Sequence, residues 1–491
     1  MRSNPTRVLP WRLMALFLVM SAMLSACDFL GSDTPMTFLE DDPEIRAHPD
    51  YPVVVREVDD LEDEIIVERD VWITVRDGTR LSANVFRPRA EGKYPVVMAL
   101  TAYDKNKGPD LYPKLLRNAL NKYFDLGKFA VSPWTAWEGP DPVYWVSQGY
   151  ALVYLDSRGF ATSEGDPGTA SMQDRDDFYD AIEWAGTQPW SNGNVGTNGV
   201  SYLAIAQWVA ASGNPPHLKA IVPWEGQSDA YREVLYHGGI PETAFTGFWI
   251  RKVRSGANGS PLPPPFIFKI AHRNPAFMRW VQSRPNARTG IDLPRIRVPA
   301  LIAATWSDQG LHTRGSFEGY KQMASEQKWL YTHGRQKWGV YYSDDALRTQ
   351  TEFYDHFLKG EDNGFDRRPA VRLEVRESLE EYAVRFEEDW PIPDTDYREF
   401  YLHGDSGELS EMAPASSTER SYDSETGSAV FNYTFQEDTE LTGNMKLKLW
   451  VSIEQGDDMD LFVSVDKLSA EGDVVNFYAK MGYTKGPVAM G

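Results

Sequence analysis

The chain has almost no cysteine: Cys27 is the single one among 491 residues. Intrachain disulfides are therefore impossible, and apolar packing must supply the stability. With 42% apolar residues, including 16 Trp, 24 Tyr and 23 Phe, the chain has ample material for large cores and is not of the disordered class. Its length exceeds that of a usual domain, so we expect two or three structural units.

Positive charge is also scarce. The chain holds 50 Lys and Arg against 71 Asp and Glu, for a net charge of −21. The first 26 residues carry three Arg and no acid, so the remainder stands at 47 − 71 = −24. Such a surface repels phosphate backbones, and nucleic acid is excluded as a partner. P-loop, H-E-x-x-H, EF-hand and Cys/His zinc patterns are absent as well, so we expect no metal and no cofactor.

The apolar stretch near the N-terminus is too short to span a membrane. It runs from Leu13 to Leu24, which is 12 residues, whereas a spanning helix needs about 20. Three arginines precede it, and this arrangement predicts a signal peptide over residues 1–26. The following Leu24-Ser25-Ala26-Cys27 resembles a bacterial lipobox, which predicts a lipid anchor on Cys27.

The anchor defines an expected location. We predict a protein of the bacterial cell envelope, held to the membrane on the periplasmic side. By resemblance to lipoprotein sorting signals, Asp28 suggests retention at the inner membrane if the cell is Gram-negative. Residues 27–68 are acidic and poorly periodic, so we interpret them as a tether.

The strongest sign of chemistry is Gly199-Val200-Ser201-Tyr202-Leu203-Ala204, which looks like a nucleophile elbow. Such a turn holds a serine in a strained conformation between a strand and a helix, and small residues must flank it. Gly199 and Ala204 fit, whereas Leu203 departs from the strict G-x-S-x-G pattern. We predict that Ser201 is a nucleophile; the alternative is a buried serine in an ordinary strand-turn-helix unit.

Strands and helices alternate along most of the chain, which predicts a mostly parallel α/β sheet with right-handed crossovers. The predicted strands are Val71 to Val75, Leu81 to Phe86, Val96 to Leu100, Tyr150 to Leu155, Val195 to Val200, Ala220 to Pro223, Ala300 to Ala304 and Trp329 to Thr332. The predicted helices are Asp176 to Ala185, Tyr202 to Ser212, Ser316 to Ser325 and Asp345 to Leu358. We place the core of this domain in residues 69–224 and 299–364.

Two regions interrupt the alternation. Residues 225–298 are rich in proline and aromatics, and we predict a helical cap over the sheet's carboxyl edge. Residues 365–491 predict an all-β sandwich, a jelly roll, from short strands between turns. Those strands are Ala370 to Arg376, Glu399 to Leu402, Ser428 to Tyr433, Met445 to Ile453 and Met459 to Val465.

Several motifs together resemble the cocaine-esterase-like and X-Pro dipeptidyl-peptidase family of serine hydrolases, the CocE/NonD hydrolases. They are Ala102-Tyr103-Asp104-Lys105, Asp156-Ser157-Arg158-Gly159, Ser163-Glu164-Gly165, Asp180-Ala181-Ile182-Glu183-Trp184, Gln188-Pro189-Trp190-Ser191-Asn192-Gly193 and the elbow. The resemblance extends from Val71 to the C-terminus and implies an α/β-hydrolase domain, an inserted helical cap and a C-terminal jelly roll. Family members usually continue past Gly491, so we expect the jelly roll to be incomplete.

A serine nucleophile needs a histidine base and a carboxylate that orients it. The resemblance places the acid at Asp308, directly after the strand Leu301 to Trp306; the alternative is a helix N-cap. We predict His333 as the base, because it ends the last core strand. The alternative is His312, close to Asp308, which we take to break the expected order.

Other histidines and motifs fit this role less well. His356 falls within a predicted helix, and we interpret it as a surface or packing residue. Many relatives carry Gly-Pro-Trp-x-His a few residues after the last strand, but this chain has Gln336 and Lys337 there.

The oxyanion of a tetrahedral intermediate needs two aimed donors. One is the backbone N–H of Tyr202, the residue after the nucleophile. The resemblance implies the hydroxyl of Tyr103 as the other; alternatively Tyr103 packs at a strand end. Acidic cap residues could receive a substrate ammonium, although a solvated acidic surface is the simpler interpretation. Those residues are Glu225, Asp229, Glu233 and Glu242.

We therefore predict a serine hydrolase that cleaves a small-molecule ester or a short peptide through an acyl-enzyme, most simply an acyl esterase. An X-Pro dipeptidyl aminopeptidase and a β-lactam or amino-acid ester acylase are alternatives within the enzymes. An inactive, lipid-anchored binding protein is the alternative from another class.

Overall fold

The computed structural model describes residues 53–55, 64–108, 129–168, 171–242, 245–246, 249, 253, 257, 290–479 and 485–491. The signal peptide, Cys27, Asp28 and most of the tether lie outside these residues, so the lipid anchor stays a prediction. Most of the cap also lies outside them. Within the described part of the chain, no helix is long and apolar enough to cross a membrane.

A ten-stranded sheet forms the centre of the molecule. Its strands, in spatial order, are β14, β13, β12, β11, β8, β7, β4, β6, β3 and β2. The neighbouring strands from β6 to β13 in this spatial order pair in parallel. At one edge of the sheet, β3 pairs antiparallel with both β6 and β2, and at the other edge β14 pairs antiparallel with β13. This arrangement confirms the predicted mostly parallel sheet.

The strands have the following bounds: β1 Val53–Val55, β2 Ile65–Thr74, β3 Arg80–Pro88, β4 Tyr94–Thr101, β5 Phe129–Val131, β6 Ala151–Asp156, β7 Ser191–Val200, β8 Leu218–Trp224, β9 Tyr236–His237, β10 Ile240–Pro241, β11 Ala300–Thr305, β12 Lys328–His333, β13 Val371–Arg376, β14 Tyr382–Glu387, β15 Tyr401–His403, β16 Glu408–Ser410, β17 Ser464–Val465, β18 Lys467–Leu468, β19 Val474–Val475 and β20 Ala489–Met490. The helices are α1 Pro142–Ser147, α2 Met172–Gly186, α3 Tyr202–Ala211, α4 Thr313–Gln322, α5 Lys337–Tyr341 and α6 Asp344–Tyr354.

Both faces of the sheet are covered, and this explains the unbroken apolar runs of the central strands. Every residue of β6 and of β11 is buried. Because side chains alternate along a strand, Leu152 and Tyr154 enter one hydrophobic core while Ala151, Val153 and Leu155 enter the other. A strand that is buried on both faces has no side exposed to water, so its residues are apolar without alternation.

Two of the helices begin earlier than the sequence predicts. Helix α2 starts at Met172, earlier than predicted, because Ser171 and Asp174 form a capping box that satisfies the first backbone N–H groups. Helix α4 starts at Thr313, directly after His312, and also begins before its predicted start. The early start of α4 matters for the site, since it brings His312 to the first turn of a helix.

The C-terminal region differs from the prediction in two ways. Val371–Arg376, predicted as the first strand of the β domain, pairs in parallel with β12 and extends the large sheet instead. Residues 428–433 and 445–453, predicted as strands, are not strands in the structure. The strands β15 to β20 are two or three residues long and form only two-stranded sheets, so the jelly roll itself stays a prediction.

The parallel strands end at one edge of the sheet. The register aligns Val200 with Trp224, Ala303 with Trp224 and Thr305 with His333. Residues that directly follow these strands therefore meet at the carboxyl edge, where ligands bind in open α/β sheets.

Candidate active site

Ser201 occupies the turn between β7 and α3, in a conformation that side chains rarely adopt. Its φ is 60° and its ψ is −114°, a region that costs of order 1–3 kcal/mol for a residue other than glycine. Its N–H donates to the carbonyl of Trp224 at 3.0 Å, and its own carbonyl accepts from Ala204 and Ile205 at 3.0 Å. The neighbouring strand and the helix start thus hold the serine in its strained position.

The small residues around Ser201 are required by close contacts. Gly199 has a φ of 138°, and a Cβ there would lie 2.6 Å from the Cβ of Leu203. Ala204 faces Gly226, whose added Cβ would lie 2.8 Å from the Ala204 Cβ. Leu203 stands where G-x-S-x-G has its last glycine, and its side chain is buried in the hydrophobic core next to Gly199. Ala204 is small enough for the close approach of Gly226.

A chain of hydrogen bonds connects Ser201 to a buried carboxylate. The Ser201 Oγ lies 3.1 Å from Nε2 of His312. The Nδ1 of His312 lies 2.6 Å from Oδ2 of Asp308. His312 is 1% exposed and Asp308 is 3% exposed, so water does not weaken the His312–Asp308 bond. The arrangement has the geometry of a Ser-His-Asp triad.

One tight turn presents both the acid and the histidine. After β11, the carbonyl of Asp308 accepts from the N–H groups of Leu311, His312 and Thr313, which fold the loop back on itself. Asp308 and His312 are thereby placed one turn apart at the start of α4, with their side chains in contact.

His333, predicted as the base, is not the histidine beside Ser201, and the assignment needs correction. His333 is still part of β12, and its Nε2 lies 2.9 Å from Oε1 of Glu225. That contact is close enough for an ion pair but lacks hydrogen-bond geometry. The imidazole also stacks on Trp224, with ring centroids 6.0 Å apart. A side chain fixed in this direction is committed to Glu225 and not to the nucleophile.

The prediction failed because it assumed that the base must follow a later strand than the acid. His312 keeps the order serine, acid, histidine along the chain and changes only the loop that carries the base. Two signals could have found it: the spacing of Asp308 and His312, and Gln336 and Lys337 at the place where relatives carry a histidine. His356 lies in a helical turn at the surface, as predicted.

The loop after β4 brings Tyr103 next to the elbow. Its ring meets that of Tyr202 edge to face, with centroids 5.9 Å apart. The Tyr103 hydroxyl accepts a hydrogen bond from Nε1 of Trp249, a cap residue, at 3.0 Å. The Tyr202 ring also contacts that of Trp249. Tyr103 is thus placed beside the first residue of α3, and its oxyanion role stays a prediction.

A buried ion pair fixes the loop that carries Tyr103. Lys105 and Asp156 are both buried, and Asp156 accepts from the Lys105 backbone N–H at 2.7 Å and from its ammonium at 3.0 Å. The ammonium also donates to Asp70 at 2.8 Å. These contacts unite two of the motifs singled out in the sequence, and they hold the loop after β4 to the end of β6.

The four acidic residues predicted at the cap are not a solvated surface. Glu225 is buried against His333. Asp229 accepts from Arg232 and from two backbone N–H groups, and Glu233 accepts from Arg314 and from the N–H groups of Ser228 and Asp229. Glu242 accepts from the N–H groups of Phe245 and Thr246. Asp229, Glu233 and Glu242 are thus engaged in internal hydrogen bonds, which leaves these three carboxylates poorly suited to receive a substrate ammonium.

Comparison with known proteins identifies the family. Residues 77–336 match the model of the X-Pro dipeptidyl-peptidase (S15) family. The chain belongs to this family. Residues 363–486 match the model of the X-Pro dipeptidyl-peptidase C-terminal non-catalytic domain.

Individual relatives include both esterases and peptidases. The chain is 29% identical to cocaine esterase of Rhodococcus sp. (strain MB1 Bresler) over 393 residues, which cover 69% of this chain and 62% of that protein. It is 23% identical to a putative Xaa-Pro dipeptidyl-peptidase of Bacillus anthracis, covering 65% of this chain and 55% of the relative. The chain therefore spans about three-fifths of the length of these curated relatives.

A solved structure gives a closer match. A CocE/NonD family hydrolase from Staphylococcus aureus superimposes with a TM-score of 0.77 at 42% identity, covering 87% of this chain and 75% of that one. An α-amino acid ester hydrolase superimposes with a TM-score of 0.52 at 19% identity, over 78% of this chain and 67% of the other, and shows the shared fold alone. The resemblance inferred from the sequence motifs is confirmed.

The S15 site also contains a lysine that sequence reasoning did not assign. Lys337 is the first residue of α5, in the loop after β12. Its Nζ lies 3.0 Å from Oδ2 of Asp308 and 3.3 Å from Nδ1 of His312, and its side chain is buried. The ammonium of Lys337 therefore lies beside Asp308, the acid of the Ser-His-Asp triad.

Charge and burial change the titration of these groups. Burial raises the pKa of Asp308, but attraction by Lys337 and His312 outweighs it and holds the pKa well below the usual range. Burial lowers the pKa of His312, and repulsion by Lys337 lowers it further, against the opposing attraction of Asp308. His312 thus stays neutral, as a base must, to a lower pH than an ordinary histidine.

Three buried side chains have the spacing of a metal site. Potential ligand atoms of Glu225, Asp308 and His312 lie within 4.8 Å of one another. The Nδ1 of His312 is already bonded to Asp308, and the Lys337 ammonium contacts both. A divalent cation would have to break that bond and oppose a neighbouring positive charge, so the set fits a metal poorly.

Proposed function

We propose that this chain is a serine hydrolase that cleaves an ester of a small substrate through an acyl-enzyme intermediate. The observation that carries the proposal is the continuous contact from Ser201 Oγ through His312 to Asp308. Family membership supports it, since the named relatives are an esterase, hydrolases and peptidases.

Ser201, His312 and Asp308 each have a defined part in acylation. His312 Nε2 takes the Ser201 proton as Oγ attacks the substrate carbonyl and forms the new C–O bond. The imidazolium then donates that proton to the leaving oxygen as the bond to it breaks. Asp308 holds the proton of His312 on Nδ1, so that Nε2 faces the serine, and stabilises the transient imidazolium. Water repeats the sequence and releases the acid.

Developing negative charge on the substrate oxygen needs preorganised donors. We assign the backbone N–H of Tyr202 and the hydroxyl of Tyr103 to this role. The bond that the Tyr103 oxygen accepts from Trp249 Nε1 holds the phenol beside the elbow. Removal of one such donor typically costs 10²–10³-fold in kcat.

An X-Pro dipeptidyl-peptidase is the second candidate, and the family model favours it. Such an enzyme must receive the charged amino terminus of a peptide. Among the described cap residues, Asp229, Glu233 and Glu242 are committed to internal hydrogen bonds. The fourth acid, Glu225, is fully buried and lies 2.9 Å from His333. This favours an ester over a peptide as substrate, in agreement with the higher identity to cocaine esterase than to the putative peptidase.

Two measurements test the proposal. A fluorophosphonate probe should label the wild-type protein at Ser201 and leave Ser201→Ala unlabelled; an unlabelled wild type would favour the inactive binding protein. A panel of p-nitrophenyl esters beside X-Pro-anilides then separates the candidates. Faster turnover of the anilides would replace the esterase proposal with the peptidase.

A further inference from the structure

Lys337 and His312 converge on one oxygen of Asp308. Oδ2 accepts from His312 Nδ1 at 2.6 Å and from Lys337 Nζ at 3.0 Å. The other oxygen, Oδ1, has no hydrogen-bond partner among the described residues. The ammonium thus contacts the same carboxylate oxygen that orients the histidine, and any change at Lys337 is transmitted to the base.

The lysine is surrounded by charge from several elements. Asp308 belongs to the loop after β11, Glu225 follows β8, and Glu138 lies before α1, where it accepts from Nε1 of Trp338. His333, at the end of β12, faces Glu225. Burial disfavours the charged form of Lys337, but Asp308, Glu225 and Glu138 outweigh it and raise the pKa of Lys337. Lys337 is therefore a permanent cation at working pH.

We propose that Lys337 is a positioning residue that acts through Asp308: it fixes the carboxylate oxygen that faces His312 and sets the lower pH limit of the activity. This inference rests on the proposed serine hydrolase function. It adds a fourth side chain to Ser201, His312 and Asp308, supplied by the loop in which many relatives carry a histidine.

The physical reason is a balance of two charges on one imidazole. Asp308 favours the imidazolium, while the Lys337 ammonium disfavours it from 3.3 Å. With the lysine present, His312 remains a competent base in mildly acidic solution. Without the lysine, only burial would oppose the attraction of Asp308, and His312 would become protonated at a higher pH.

The first test removes the charge while keeping the length of the side chain. In Lys337→Met, the acid limb of kcat/KM should move upward by about one pH unit or more, and kcat should fall more than KM rises. Lys337→Arg keeps the charge and should keep the limb near that of the wild type. Lys219→Met is the matched control, because the exposed Lys219 lies at the opposite end of β8 from Glu225 and its ammonium donates to the carbonyl of Pro216. The acid limb of kcat/KM in Lys219→Met should stay where it is in the wild type.

A second variant makes the test independent of how well Lys337→Met folds. Glu225 favours the imidazolium of His312, so Glu225→Gln should move the acid limb downward, opposite to the lysine variant. A purely structural role for Lys337 would lower the activity of Lys337→Met without moving its acid limb, while the limb of Glu225→Gln would still move downward. An unmoved limb in Lys337→Met, with an active wild type, would overturn the inference.

A titration without turnover separates this inference from the proposed function. NMR of the His312 ring in a Ser201→Ala background reports its protonation directly, with Lys337→Met or Glu225→Gln added. Shifts of opposite sign would support the role of Lys337 even if no substrate is cleaved, and equal titrations would refute it. Failure of the wild type to label or turn over would instead refute the hydrolase proposal alone.

Discussion

Two buried histidines lie at the carboxyl edge of the same sheet, each beside a carboxylate, yet they have different surroundings. His312 directs one ring nitrogen to Ser201 and the other to Asp308. His333 faces Glu225 and stacks on Trp224. Burial next to an acid is thus not enough to make a base. A base also needs a ring nitrogen that faces the nucleophile.

The difference comes from where each residue stands relative to its strand. His333 still belongs to β12 and pairs in register with Thr305 of β11, so its direction is set by the pleat. His312 lies beyond the end of β11, on a turn that folds back over the sheet edge. A loop can carry a side chain past β8 to Ser201 at the end of β7, and a strand position cannot.

The largest effect expected is the loss of the base. His312→Ala should lower kcat by ~10⁴-fold or more, and the double variant with Ser201→Ala should be little worse, because triad members act as a unit. Steady-state kinetics and probe labelling of purified protein measure both. If His312→Ala kept most activity while His333→Ala lost it, the roles of the two histidines would be reversed.

Loss of one oxyanion donor should have a smaller effect. Tyr103→Phe should lower kcat by ~10²-fold with little change in KM, since the hydroxyl acts only on the charge that develops in the transition state. Tyr144→Phe is a control for the removal of a phenol oxygen, because that hydroxyl bonds Thr351. Equal, small effects of the two changes would mean that the second donor lies elsewhere.

Replacement of the other histidine should affect stability more than catalysis. His333→Gln should keep kcat/KM within ~10-fold but lower the free energy of unfolding by about 1–3 kcal/mol, because buried Glu225 loses its partner. Urea unfolding followed by tryptophan fluorescence measures this loss. The additional change Glu225→Gln should recover part of it, since the two sites are in contact; additive losses would show that they are not coupled.

The smallest effect concerns the pH profile of the wild-type protein. Burial and Lys337 both lower the pKa of His312. The imidazole should therefore stay mostly neutral at pH values below ~6.5, the pKa of an ordinary histidine. The kcat/KM should therefore rise through an apparent pKa under ~6.5 and be level at neutral pH. An apparent pKa above ~7 would mean that Asp308 raises the pKa of His312 by more than burial and Lys337 lower it.

The sequence by itself determined the parts that depend on neighbours along the chain. Gly199 and Ser201 form an elbow because the strained turn tolerates few alternatives. The alternation of apolar strands and helices determined the parallel sheet, since a strand buried on both faces needs an unbroken apolar run. These local requirements leave a visible pattern in the amino-acid order.

Only the tertiary structure decided which distant groups meet. Val371–Arg376 has the pattern of a strand, but nothing in that pattern says whether it pairs with β12 or within the C-terminal region. The same holds for the choice of His312 over His333 and for the buried Lys337. Each depends on how far a loop reaches and which charges it encounters when the chain is packed, and a linear sequence does not encode those distances locally.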